Sequence, residues 1–275
     1  MSAQGNLPGI PVPPPAPPAF SISKINLYLK CPAAYYFRHV LGLRTPPRSY
    51  QVFGTSLHAG IAHNYRKKME TQMDLPLGQV QEFFSADWDY QRGKILWEPG
   101  EDAGKMKDEG IKLLEVYQAR VAPAIQPAVV EEMFEIQFEG VPYTFRGIID
   151  LVDRKSGMVI DHKTTTKTPS AVNVHKDLQL TAYSMGNRVK HGVVEKGMAF
   201  DYIVRSRSPK IVRIETSRSE EDIKRFLRLM ANVATAIQEQ RFYPNPSHPY
   251  CSPKLCAYWD ACEGGRKFDY APPAR

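Results

Sequence analysis

Cysteine is scarce in this 275-residue chain, with only Cys31, Cys251, Cys256 and Cys262, and no apolar run is long. Four thiols are too few for a disulfide-built scaffold, and their distribution, one early and three late, asks for another explanation. A membrane helix needs about 20 consecutive apolar residues, and none is present. The N-terminus lacks the basic start and apolar stretch of a secretory signal, so the expected setting is intracellular and cytoplasmic, where thiols stay reduced. A helicase phosphate loop of the form GxxxxGKS/T is missing too, so any unwinding must come from another chain.

What is present is enough to fold. An apolar fraction of 43% with 11% aromatics supports a sizeable core. The net charge of +7 and a pI near 9.1 agree with a polyanionic partner without establishing one. Seven prolines crowd residues 1–19, which read as an extended, disordered tail. A single domain is expected over 20–270.

Ser21 or Ser23 can cap a first helix carrying Ile25, Leu27, Leu29, Tyr35, Tyr36 and Val40, ended by the Pro-rich stretch 45–48. Residues 54–70 are helical in pattern, with His58 near the start. The stretches 77–92 and 102–121 are amphipathic and form an expected helical insertion over about 71–125. After Pro127 the period changes to two, predicting a hairpin of strands turned at Gly140, then a third strand over 158–163. One helix over 172–190, strands over 196–204 and 210–215, and a helix over 219–240 follow. The expected fold is α/β: a mixed central sheet flanked by helices.

The chemistry concentrates on two strand ends. Asp161 and Lys163, at i and i+2, must share a strand face, while His162 points away. Asp150 ends the neighbouring strand, and both aspartates close apolar runs, Gly147-Ile148-Ile149 and Met158-Val159-Ile160. Buried strands therefore deliver charged groups to one place, which is costly without a partner. Two carboxylates suit a hard divalent cation, Mg²⁺ or Mn²⁺, that would activate water, with the lysine orienting it or offsetting phosphate charge. His58 could add a nitrogen ligand, a preference that favours manganese. Gln179 and Tyr183, at i and i+4 on the following helix, can overhang the same place.

Taken in order, Cys31-Pro32 with Tyr35-Tyr36, Gly54-Thr55-x-x-His58, Gly147-Ile148-Ile149-Asp150, Asp161-His162-Lys163-Thr164, Gln179-Leu180-x-x-Tyr183 and the closing cysteines resemble the RecB-like branch of the PD-(D/E)xK nucleases. The resemblance spans about 21–265 and is especially to the iron-sulfur members, among them the CRISPR-associated RecB-like exonucleases and the AddB-type nuclease domains. It implies a restriction-endonuclease-like fold, with His58, Asp150, Asp161 and the backbone carbonyl of His162 on the metal and Lys163 as catalytic lysine. Gln179 and Tyr183 match the QxxxY element that positions the substrate strand. Glu131 is the choice for a further acid, with Glu132 and Glu135 as alternatives.

With Cys31, the late cysteines make the four thiolates that one 4Fe-4S cluster requires, a clasp of Cys31 with 251–262; a four-cysteine zinc site is the alternative. The family commonly has two residues between the first two late cysteines, whereas four separate Cys251 from Cys256. Lys24, Lys30, Arg38, Arg146, Arg188, Lys190, Arg205 and Arg207 are candidate phosphate contacts, with Arg38, Arg146 and Arg205 put first; Tyr35, Tyr36 and Tyr202 could stack bases. The expectation is a metal-dependent DNA nuclease, an exonuclease on single-stranded ends by family analogy, in recombination and repair, phage DNA metabolism or CRISPR adaptation. The competing readings are a structure-specific endonuclease that works with a helicase or integrase, and a non-catalytic iron-sulfur DNA-binding module.

Overall fold

The computed structural model describes residues 19–139, 143–167 and 169–268. The Pro-rich segment before Ala19, the expected turn at Gly140 and the last residues lie outside them. A two-residue strand β1 (Ala19–Phe20) leads into α1 (Ile22–Lys30), whose first turn is capped by the Ser21 hydroxyl accepting from the Lys24 N–H at 3.5 Å. The single first helix that the pattern predicts is divided. Cys31 is extended, at φ −164°, because the following Pro32 disfavours helical backbone there; Pro32 then opens α2 (Pro32–Tyr35), continued by a π-turn over Tyr36–Val40.

Next comes α3 (Ser49–Thr71), which starts earlier than expected, so His58 lies well inside it and not in its first turn. The amphipathic stretches become α4 (Leu77–Gln91) and α5 (Ala103–Arg120). Strands β2 (Pro127–Gln137) and β3 (Thr144–Asp153) form a long antiparallel hairpin, and β4 (Met158–Thr165) follows a tight turn closed by the Asp153 carboxylate. The helix expected over 172–190 is two, α6 (Ala171–His175) and α7 (Leu178–His191). The break is at Asp177, whose carboxylate accepts from the N–H groups of Gln179 at 2.7 Å and Leu180 at 3.2 Å and so starts a new helix. The chain continues through β5 (Gly197–Val204), β6 (Lys210–Thr216), α8 (Glu220–Gln238) and the short α9 (Trp259–Cys262).

The strands make one mixed sheet in the order β1-β3-β4-β5-β6, with β2 on the other edge of β3. Pairing is parallel for β1 with β3 and β4 with β5, and antiparallel elsewhere. Apolar residues cover both faces. Phe134, Phe145, Val159 and Phe200 pack with α1, α7 and α8; Leu151, Ile160, Ala199 and Ile203 pack with α3, α4 and α5. On the first of these faces the Phe134 ring occupies the space that a Cβ on either Gly147 or Gly186 would need, 2.4 and 2.6 Å from the ideal positions. No helix among the described residues is long and apolar enough to cross a membrane.

Candidate active site

The site lies where the sheet forks. One edge of β3 is shared by two partners: β1 pairs with Thr144 and Phe145 at its start, β4 with Leu151 and Val152 near its end. The ladder between β3 and β4 stops at Leu151–Ile160, and one register step further stand Asp150 and Asp161. The two carboxylates are close enough that each feels the other's charge. Asp150 Oδ2 accepts from the His162 N–H at 3.3 Å, and His58 Nδ1, brought over by α3, stands 3.5 Å from the same oxygen.

Asp161 is held from its own strand and from α7. Gln179 Nε2 donates to Asp161 Oδ1 at 2.7 Å, and Lys163 Nζ stands 2.6 Å from Asp161 Oδ2. Lys163 also donates to Gln179 Oε1 at 2.8 Å, and Gln179 Nε2 bonds the Tyr183 hydroxyl at 2.7 Å. The Asp177 cap fixes where α7 begins and hence how far Gln179 reaches. Alternation along β4 places Asp161 and Lys163 on this side and turns His162 to the other, as the sequence pattern requires.

Electrostatics follow from burial and crowding. Burial first, then the Asp161 charge, pushes Asp150 well above the usual carboxylate range; Lys163 works in the opposite direction. For Lys163 burial would lower the pKa, yet Asp161, with help from Asp150 and Asp177, outweighs it and leaves it raised, so the ammonium persists at neutral pH. Burial lowers His58, against the pull of Asp161 and Glu131, and leaves a neutral imidazole with a lone pair to give. Tyr183 is raised by burial and by both aspartates, and keeps its proton.

The three glutamates separate. Glu131 has left-handed backbone, at φ +44°, on β2 across from Asp150, and its carboxylate pairs with Arg66 of α3. Non-glycine residues there are strained by about 1 to 3 kcal/mol, a cost that is concentrated at functional sites. Glu132 instead pairs with His191 at 2.8 Å and Lys190 at 3.3 Å, and Glu135 with Arg146 at 2.5 Å. Among the candidate DNA contacts, Arg188 is drawn into a pair with buried Glu195 at 2.8 Å, and Arg205 into one with Glu109 at 2.6 Å while lying over the Phe53 ring. Arg38 makes no hydrogen bond or ion pair among the described residues. Tyr35 and Tyr36 pack on Phe242, 6.2 and 5.1 Å between centroids, and Tyr202 packs on Phe200.

A buried chain lies beneath the fork. The Tyr117 hydroxyl of α5 bonds His162 Nε2 at 2.7 Å and the Tyr65 hydroxyl of α3 at 2.8 Å. Beside it, Arg213 grips fully buried Asp201 with two bonds of 2.7 Å. Neither feature is among the sequence expectations. The available signal was Tyr117 itself, a hydroxyl at the end of the apolar stripe Met106, Gly110, Leu113.

Three of the cysteines meet at one corner, where Cys31 and Cys256 pack against the small cluster of Ala33, Ala34, Phe37, Tyr258, Cys262 and Phe268, and the Cys251 sulfur lies beside Gly264, two residues after Cys262. Burial raises the thiols of Cys256 and Cys262; Cys256 also feels Cys31 and Cys251, and Cys262 feels all three others. All four are free thiols. Among the described residues no three His, Cys, Asp or Glu side chains stand assembled as a metal cage. The acidic fork nonetheless suits a hard cation. Buried Asp161 Oδ2 has only the Lys163 ion pair and no hydrogen bond, and it faces a second carboxylate whose negative form burial disfavours.

Residues 19–263 match the family described as the PD-(D/E)XK nuclease superfamily, so the chain belongs to that superfamily. Among solved structures it is similar to a candidate exonuclease from Eubacterium rectale, at 10% identity and a TM-score of 0.55 over 92% of this chain and 90% of that one. That likeness shows a shared fold. SSO0001 matches over 89% of this chain and 97% of its own at 16% identity and a TM-score of 0.37, too distant to carry an argument. No curated protein matches.

Proposed function

We propose that the chain is a metal-dependent deoxyribonuclease of the RecB-like branch, acting on DNA ends and preferentially on single strands. The observation that carries this reading is the convergence of Asp150, Asp161 and Lys163 on the fork, with Gln179 bridging the acid and the amine. Asp150 and Asp161, with His58 and the His162 carbonyl, are the groups that would hold Mg²⁺ or Mn²⁺, and Glu131 the further acid. When bound, such an ion supplies Lewis acidity and screening of phosphate charge. Lys163 stays protonated and offers its N–H groups to the oxygen on which charge develops. Gln179 keeps Lys163 and Asp161 in one plane of contact, and Tyr183 holds Gln179.

The cysteine corner is proposed to hold a 4Fe-4S cluster on Cys31, Cys251, Cys256 and Cys262. Four neighbouring thiols contributed by both ends of the chain support it, and zinc is the other outcome.

Assays of labelled single-stranded DNA with Mn²⁺ or Mg²⁺ test the main reading. Asp161→Asn is expected to lower the cleavage rate at least about 10²-fold while DNA binding persists, the scale seen when one charge-stabilising group is removed. Cleavage confined to branched or partner-loaded DNA would point to a structure-specific endonuclease. A wild-type protein that binds DNA and cuts none would make this a binding module.

A further inference from the structure

The substrate backbone needs holding beyond the reacting phosphate, and the surface beside the start of β3 is built for it. Pairing of Ala19 with Thr144 and Phe20 with Phe145 sets the first turn of α1 against β3. Lys24 Nζ reaches back to the Ala19 carbonyl at 2.6 Å, and Arg146 follows two residues after Thr144 on the exposed side of the hairpin. Arg44, in the segment after the π-turn, is near enough to act on Lys24, and Arg38, on the π-turn, acts with Lys24 and Arg44 on His39. Neither arginine makes a hydrogen bond or ion pair among the described residues. Among the described residues the one carboxylate paired with the group is Glu135, on Arg146.

Crowding of like charge registers on the neighbours. Lys24 is lowered by burial and then by Arg146 and Arg44. His39 is pulled down to about 4 by burial and then by Lys24, Arg38 and Arg44. Between Arg146 and Asp150 the hairpin exposes Met133 and Ile148, paired directly across the strands and 60% and 51% exposed. Cations at one end, an apolar step in the middle and paired acids at the other match the order phosphate, base or sugar, reacting phosphate.

We propose that Lys24, Arg38, Arg44 and Arg146 form a phosphate-binding subsite that holds the DNA backbone a few nucleotides from the cleavage point, about 13 Å along β3 from Asp150 at some 3.3 Å per residue. This subsite rests on the nuclease reading for its substrate, yet it is tested by binding alone. Anisotropy of a labelled 20-nucleotide single strand is measured in EDTA over a salt series for the full chain, for Arg38→Ala/Arg44→Ala and for Lys112→Ala/Arg120→Ala. The last pair removes two exposed cations of α5 as a charge control.

Loss of two phosphate contacts is expected to weaken binding about tenfold and to flatten the slope of log K against log salt by about 1.4, at roughly 0.7 per single-strand contact. The α5 pair should keep the wild-type slope. An unchanged slope in Arg38→Ala/Arg44→Ala, an equal loss in the α5 pair, or a wild-type chain without affinity for the strand overturns the subsite. The two claims fail separately: wild-type cleavage with unchanged arginine variants removes only the subsite, whereas the expected binding loss in a protein that never cleaves removes only the nuclease reading.

Discussion

The acidic fork and the cysteine corner both gather reactive side chains, and they are prepared very differently. At the fork the two acids, the lysine and the glutamine come from β3, β4 and α7, and each is tied by at least one bond: Asp150 to the His162 N–H, Asp161 to Gln179, Lys163 to both. At the corner Cys31 sits between two short helices and meets residues more than 200 positions later. There, burial keeps Cys256 and Cys262 as neutral thiols that pack like small apolar groups. Protein donors alone hold the carboxylates in place, whereas the thiols need a metal to pull off their protons before they can bind as ligands.

The largest expected effect tests that dependence. In protein purified anaerobically, Cys256→Ser should lower Tm by about 5 to 10 °C, taking about 2.7 kcal/mol for a ligand at a hundredfold excess over its Kd and about 2 to 4 °C per kcal/mol. Differential scanning fluorimetry reads the shift. Broad visible absorbance identifies iron-sulfur and a colourless, metal-loaded protein identifies zinc; an unmoved Tm reduces the corner to packing.

A smaller effect sharpens the other half of the contrast. Tyr117→Phe deletes a hydroxyl bonded to His162 and Tyr65, leaving buried partners unpaired. Urea unfolding should show a loss of about 1 to 3 kcal/mol. Because Asp161, Lys163 and Gln179 bond one another without it, the variant should retain cleavage; a loss as large as that of Asp161→Asn would show that the fork is propped from below.

The smallest effect is in pH. His39 titrates near 4 in the folded chain and at an ordinary, higher value once unfolded, so the unfolded chain takes up the proton first. The sign is then fixed: stability is full above about 6.5 and falls as the pH drops toward 4. Chemical denaturation of His39→Gln across that window should give a shallower decline than wild type. Equal slopes would disprove the lowering of His39 by burial and by Lys24, Arg38 and Arg44.

Alternation along β4 made Asp161, Lys163 and the opposed His162 legible, and the i, i+4 step did the same for Gln179 and Tyr183, because both rules are local. The breaks were legible in principle: Pro32 and Asp177 are ordinary punctuation, and the continuous helices expected there override it. Pairings across the fold were not. Arg188 and Arg205 read as candidate phosphate contacts until Glu195 and Glu109, which lie 7 and 96 positions away, are brought to them. Nothing local marks a partner for Tyr117 until β4 presents His162, 45 positions later.

Phe134 sets a spacing that no polar group at the fork controls. Its ring fills the two vacancies left by Gly147 on the hairpin and Gly186 on α7. A methyl at either position would act as a shim, levering the helix off the sheet. Because Gln179 rides on that helix, its reach to Asp161 is gauged by an aromatic ring and two missing carbons, one of them nearly two turns further along α7.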